Sequence, residues 1–330
     1  MTESHFDVVG IGNAIVDILA QADDLFLSKY DAPKGTMVWV DEKQSDAMYK
    51  NLSQAIEASG GSAANTMAGI ASFGGRPAFI GKVNNDKLGK TFTEDIRAIG
   101  VHFEPTQHTD GLATARCVIL VTPDAQRTMF TYLGASSLLQ AEDMDADVIT
   151  ASKILYIEGY QWDLPETKKA IVEACEVAHH SGRQVALTLS DPFVVERHRN
   201  ELLALADKYA DIIFANEQEI IRLFNADSFE EAINSLKGCV DIAALTRGSH
   251  GAVTVNKDAL VETPAMPQGK VIDTTGAGDM YAAGFLFGYT SGKDIKTCAT
   301  LGALAAGEVI CHMGARPKNS LRDLAKKSGY

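Results

Sequence analysis

Residues 273–285, DTTGAGDMYAAGF, place two aspartates around a glycine-rich turn and run straight into small and apolar residues. Gly276 and Gly278 let successive backbone N–H groups point into one concavity. The stretch Met280 to Tyr289 reads as a helix whose positive N-terminal end faces the same place. That arrangement suits a phosphate. Asp279 falls at the helix start, where an aspartate often serves only as an N-cap; it equally suits a base at the rim of an anion cradle. Either way, the stretch is a strand ending at a helix, the junction on which α/β proteins are built.

The surrounding chain repeats that junction. Apolar runs at KILYIEG, QVALTLS, DIIFAN, IAALTRG and GAVTV read as strands, with helices between them such as Glu166 to His180 and Gln218 to Leu223. This alternation predicts a mostly parallel central sheet covered by helices on both faces, a three-layer α/β/α fold. Phe6 to Val9 is a first strand stopping at Gly10 and Gly12. Asp46 to Glu57, Ala63 to Phe73 and Gly89 to Ile99 read as helices, PAFIGKV as a strand, and 316–330 as a solvated final helix. Two patches break the alternation: strand-like pieces within 14–40, and a hairpin over 111–133 turning at Pro123-Asp124. They are expected to form a small β-rich lid, leaving 1–13, 41–110 and 134–330 as the large α/β domain.

Composition narrows the function. A chain of 330 residues with 46% hydrophobic residues can bury a sizeable core, and a formal charge of −13 argues against a nucleic-acid surface. Five dispersed cysteines without a CxxC pair suggest neither a disulfide framework nor a zinc site and fit a reducing compartment. No signal-like start and no apolar run near the ~18 residues of a membrane span is present, so a soluble, cytoplasmic protein without a membrane partner is expected. GxxxxGK[ST], GxSxG and HExxH are absent. GIGNAIVD fails as a dinucleotide fingerprint because Ile15 occupies the third glycine position and a β-like segment follows.

DTTGAGDMYAAGFLFG resembles the C-terminal signature of the ribokinase-like (PfkB) kinases of sugars and nucleosides. GIGNAIVDILA, GGSAANTMAGIASFGG at 60–75, NEQE at 216–219, TRGSHGAV at 246–253 and CHMGARP at 311–317 follow in the family's order. The resemblance implies the ribokinase-like fold and transfer of the γ-phosphoryl group of ATP to a primary hydroxyl, with the 5′-hydroxyl of adenosine as first choice. A sugar acceptor (ribose, fructose or a keto-sugar acid) and a non-catalytic nucleoside sensor are the alternatives. The partners expected are small molecules; a monomer and a homodimer both remain open.

The resemblance also implies roles. Asp279 would be the base, with Gly276, Ala277 and Gly278 offering N–H groups to the developing anion. Asn13 and Asp17 would grip vicinal hydroxyls, although Asp17 also suits a local hairpin contact. Gly61, Ser62 and Asn65 would line the acceptor pocket, Ser62 being equally a helix cap. Arg127 at the hairpin and Glu158 in YIEGY would reach the acceptor side, or else be solvated and locally paired. Thr246, Gly248, Thr275, Gly278 and Asn216 would contact ATP. Asn216 and Glu219 would steer Mg2+ through water, yet the same spacing makes a helix capping box. Asp273 and Thr275 would offer a site for a monovalent cation such as K+. Trp39, Phe103 and Tyr160 have rings suited to a purine or to plain packing.

Overall fold

The computed structural model describes residues 4–30, 32–52, 55–106, 111–124, 126–236, 238–257 and 259–330. The strands are β1 (Phe6–Ile11), β2 (Ile15–Gln21), β3 (Met37–Trp39), β4 (Ala55–Gly60), β5 (Pro77–Ile80), β6 (Ala115–Val121) and β7 (Arg127–Tyr132). Then follow β8 (Ser152–Glu158), β9 (Gln184–Thr188), β10 (Ile212–Asn216), β11 (Ile242–Thr246), β12 (Ala252–Asn256) and β13 (Leu260–Thr263). Eight of them form the main sheet in the order β13-β12-β11-β10-β9-β8-β1-β5. Every pair from β5 to β11 is parallel, whereas β12 and β13 are added antiparallel.

The three-layer expectation holds, and its cause is visible residue by residue. Successive residues of a strand face opposite sides, so Val8 joins one buried cluster with Phe214, Ala244 and Phe285, while Val9 joins another with Leu155, Leu187 and Ile213. Helices Ser62–Phe73, Ala277–Thr290 and Ile295–Val309 lie on the first side, and Pro165–His180, Pro192–Tyr209 and Glu217–Phe224 on the second. Ala277–Thr290 is buried almost all round, as expected of a helix packed between a sheet and two other helices.

The remaining strands form a second sheet in the order β3-β7-β6-β2-β4. The hairpin of β6 and β7 is as expected, with Val121 opposite Arg127. One segment differs. The span Asp46 to Glu57, read as a helix, is a helix over Glu42–Lys50 followed by β4, with Ser53 and Gln54 outside the described residues. Asp41 starts the helix earlier through a reciprocal capping box with Gln44, and Ala55–Gly60 pairs antiparallel with β2, Ile15 opposite Gly60. Tertiary pairing overrides local pattern here. The smaller sheet therefore draws on three chain segments where two were expected.

Candidate active site

Four parallel strands end on the same edge of the main sheet, and each delivers a polar group there: Asn13 just beyond β1, Glu158 at the end of β8, Asn216 at the end of β10 and Thr246 at the end of β11. The carboxyl edge of such a sheet is where open α/β folds place their ligands. The helix Ala277–Thr290 begins over it. Its N-cap is Gly276, at φ +75°, not Asp279. Asp279 is the third helical residue, which frees its side chain from capping.

That side chain is half-buried. Ser62 Oγ donates to its Oδ1 at 2.6 Å and Asn65 Nδ2 to its Oδ2 at 3.2 Å. Burial pushes the carboxyl up to about 6, and the two hydrogen bonds and the nearby Arg316 guanidinium pull it back. A carboxylate poised near neutrality can accept a proton from a hydroxyl. Ser62 is the first residue of its helix; the cap there is Gly61, at φ +96°. A Cβ at Gly61 would come within 2.1 Å of the Asn13 carbonyl oxygen, so the glycine allows the turn after β1 to lie against the helix start.

Asn13 is 4% exposed and its Oδ1 is buried without a protein partner. A buried acceptor left unpaired is costly, and a ligand hydroxyl would satisfy it. Asp17, half-buried on β2, packs against Gly60 and is pushed up to about 6 by burial, opposed by Arg316 and Arg127. Asn13, Asp17, Gly61, Ser62, Asn65 and Asp279 thus lie in one cluster.

Glu158 stands behind that cluster. It is fully buried; its Oε1 accepts from the Asn13 N–H at 2.8 Å and from Gln161 Nε2 at 3.0 Å, and its Oε2 accepts from the Ala63 N–H at 2.8 Å. These contacts make it a clamp that ties the β1 turn to the helix Ser62–Phe73. Burial pushes it up to about 7.

Three further expectations meet a more specific geometry. Ala277 N–H already donates to the Thr274 carbonyl at 3.2 Å, and the helical ladder starts with Met280 N–H to Gly276 at 2.8 Å. The free first-turn donors are therefore shifted to Gly278 and Asp279. Arg127, on β7, donates to Asp273 Oδ2 and, at 2.6 Å, to Thr275 Oγ1. Asp273 Oδ2 also accepts from the Gly314 N–H at 3.0 Å, and its Oδ1 accepts from Thr275 N–H at 3.0 Å and Thr275 Oγ1 at 2.7 Å. Asp273 is thereby neutralised by a guanidinium, and the residues present do not fit a monovalent cation at that carboxylate.

Asn216 and Glu219 form the capping box that their spacing permits. Asn216 Oδ1 accepts from Glu219 N–H at 2.9 Å, Glu219 Oε2 from Asn216 N–H at 2.9 Å, and Glu219 Oε1 from Asn216 Nδ2 at 2.6 Å. Burial, with Asp191 adding repulsion, pushes Glu219 up to about 7. Among the described residues no group of three or more His, Cys, Asp or Glu is placed to hold an ion directly. A buried carboxylate facing a second acid is nonetheless a hard-oxygen donor set, which fits a magnesium ion that keeps its water shell.

Beyond the cradle lies a cavity of about 480 Å³ lined by Thr246, Gly248, Ala277, Gly278, Ala303 and Ala306 among others. It is walled mainly by apolar and small side chains and opens beside the helix N-terminus. Of the rings considered for a purine, Phe103 is 1% exposed and packed against Phe79 and Phe92; Tyr160 packs against the second core cluster, and Trp39 is half-exposed on β3. Arg316, which touches Asn65, was not among the expected site residues although CHMGARP contains it.

This geometry, a glycine-turn cradle with a hydrogen-bonded aspartate at the carboxyl edge of a parallel sheet, defines a ribokinase-like phosphotransferase with an alcohol acceptor. The model of the pfkB family carbohydrate kinases matches residues 37–321, and the chain belongs to that family. An adenosine kinase of Sinorhizobium meliloti has 48% identity and a TM-score of 0.91, with 98% of this chain and 99% of that chain covered. A probable sugar kinase of Rhizobium etli has 45% identity and a TM-score of 0.92, with 99% of each chain covered. The adenosine kinase of Saccharomyces cerevisiae is 28% identical over 329 residues, 93% of this chain and 95% of that protein. No helix among the described residues is long and apolar enough to cross a membrane.

Proposed function

We propose that this chain phosphorylates the 5′-hydroxyl of adenosine with ATP, giving AMP and ADP. The observation that carries the reading is Asp279, held by Ser62 and Asn65 beside the unpaired Asn13 Oδ1 and the Asp17 carboxylate. Those two acceptors suit the vicinal 2′ and 3′ hydroxyls of a ribose, which each have a proton to donate. The 48% and 28% identities to two adenosine kinases support the nucleoside reading, and the 45% identity to a probable sugar kinase keeps sugars among the acceptors to be tested.

With the ribose so held, the 5′-hydroxyl lies toward Asp279. Asp279 takes its proton as the oxygen bonds to the γ-phosphorus, the bond from that phosphorus to the β–γ bridging oxygen breaks, and ADP leaves with the electron pair. The N–H groups of Gly278 and Asp279 and the helix N-terminus stabilise the charge on the transferring group. The donor nucleotide occupies the cavity beside Thr246 and Gly248, with Thr275 and Gly278 at its phosphate end. Asn216 and Glu219 would hold magnesium through water; when bound, it neutralises charge on the phosphate oxygens. Arg127 reaches the same end from β7. The smaller sheet, built from 14–40, 55–60 and 111–133, acts as a lid that excludes water, which would otherwise accept the phosphoryl group.

A scan of ATP consumption with adenosine, ribose, fructose and a keto-sugar acid tests this directly. Adenosine-dependent ADP release with AMP as product is expected. Turnover of a sugar and not of adenosine refutes the acceptor assignment, and ligand-induced stabilisation without turnover of any acceptor refutes the kinase.

A further inference from the structure

Arg316 lies in the segment 314–317, which follows the helix Ile295–Val309 and returns to Asp273 and Asn65. Its guanidinium bridges three elements. Nε donates to Asn65 Oδ1 at 3.1 Å, Nη1 donates to Ser59 Oγ on β4, and the same nitrogen lies 3.4 Å from Asp95 Oδ2 on the helix Lys87–Ala98. A guanidinium has donors only, so Asn65 must turn its carbonyl oxygen toward Arg316. Its amide N–H groups then face Asp279, where Nδ2 donates to Oδ2 at 3.2 Å. Turned the other way, the amide would set a carbonyl oxygen against the carboxylate.

We propose that Arg316 is the positioning residue of the base: it locks Asn65 with its N–H toward Asp279 and supplies the positive charge that offsets the Asp17 and Asp279 carboxylates. The inference rests on the reading of Asp279 given above. The other groups acting on this pair are Glu158 and Tyr156 on β8, Tyr160 in the turn after it, and Cys117 on β6 opposite Asp17, with Arg127 acting on Asp17 from β7. Arg316 is the cation that acts on both carboxylates, and the Arg127 side chain is engaged by Asp273. Burial lowers Arg316 itself to about 10, which leaves it charged at neutral pH. Serving both acids from one guanidinium matters most when Asp279 must be ionised to take a proton. A group titrating at about 6 is about nine-tenths ionised at pH 7, and one unit higher only about half.

The test follows the Asp279 side-chain carboxyl by 13C NMR through a pH titration of the full chain, assigned by the signal lost in Asp279→Asn. The acid limb of kcat/KM for adenosine is measured alongside. Arg316→Gln removes the charge, and both midpoints are expected to rise by about one pH unit. Arg316→Lys keeps the charge but not the fork, so the midpoint is expected to stay within a few tenths of a unit while kcat falls about tenfold. An Asp279 midpoint that does not move in folded Arg316→Gln overturns the proposal. Should that variant not fold, Arg316→Lys decides alone: unchanged kcat overturns the proposal as well. The NMR titration needs no acceptor, so absence of adenosine turnover would refute the functional reading while the carboxyl shift still judged Arg316.

Discussion

Replacing Asp279 by Asn separates two consequences of the same buried charge. The amide is nearly isosteric: its Oδ1 can accept from Asn65 Nδ2, and its Nδ2 can donate to Ser62 Oγ, which has lone pairs to spare. Both contacts seen in the wild type are thus preserved in outline. What disappears is the base, and kcat should fall about 10²- to 10⁴-fold while KM for adenosine changes by less than about threefold. Stability should move the other way. Burial raises the carboxyl from its ordinary 3.8 to about 6, so the folded protein binds the proton more tightly than the unfolded chain. The folded state is therefore penalised as pH climbs from about 4 to 6, with nothing lost below that window and the whole penalty present above it. A shift of about two units, reduced for partial exposure, corresponds to roughly 1–3 kcal/mol. Asn carries no such penalty. The variant should melt a few degrees above wild type near pH 8 and together with it near pH 4. The assays are coupled ADP release and thermal melts at both pH values. Near-normal turnover would show that Asp279 takes no proton in the rate-determining step. A variant no more stable than wild type at pH 8 would show that its carboxylate is not held against a burial cost.

Gly61→Ala meets both a φ of +96° and a Cβ 2.1 Å from the Asn13 oxygen. It should cost on the order of 1–3 kcal/mol in urea unfolding and raise KM for adenosine more than KM for ATP; equal effects on both constants would contradict the pocket assignment. Ala306→Phe places a ring into the cavity of about 480 Å³ beside Gly278. Initial-rate kinetics should then show KM for ATP raised by about tenfold or more, equivalent to ~1.4 kcal/mol, with KM for adenosine held. The opposite pattern would assign that cavity to the acceptor.

The main sheet was legible because its signals are local. SKILYIE and IIFAN are apolar on both faces, as strands buried between two helical layers must be, and Ala277–Thr290 carries its own punctuation in the glycine turn before it. The residues proposed to bind the acceptor stood out as motifs, since Gly61, Ser62 and Asn65 lie within five residues and Asn13 and Asp17 within five more, and the fold brings the two groups together. β4 was not legible. AIEASG passes from exposed through half-buried to buried along its length, a pattern with no two-residue period, and it becomes a strand by pairing with β2. The start of the preceding helix was written in Asp41 and Gln44, a local cap that the hydrophobic pattern alone passes over.

Charge pairing across the fold was the part that sequence could not carry, and it decides how the site is read. Arg127 and Asp273 are 146 residues apart, and Arg316 and Asn65 are 251 apart; no periodicity or spacing connects such pairs. Their effect is to change the role of groups whose positions were anticipated. Asp273, alone on a turn, reads as an open carboxylate able to attract a cation, but with Arg127 on one oxygen and Gly314 N–H beside it the negative charge is already offset. Glu158 reads as an acid at a strand end, yet with two backbone N–H groups on its oxygens it holds the turn after β1 against the helix Ser62–Phe73. Asp279 suits the base role proposed for it because its two hydrogen bonds come from neutral donors, which orient the carboxylate without transferring a full opposing charge to it. A guanidinium bonded directly to Asp279 would depress its basicity, whereas Arg316 placed one amide away lowers the cost of ionisation and leaves the carboxylate basic enough to accept a proton near neutral pH.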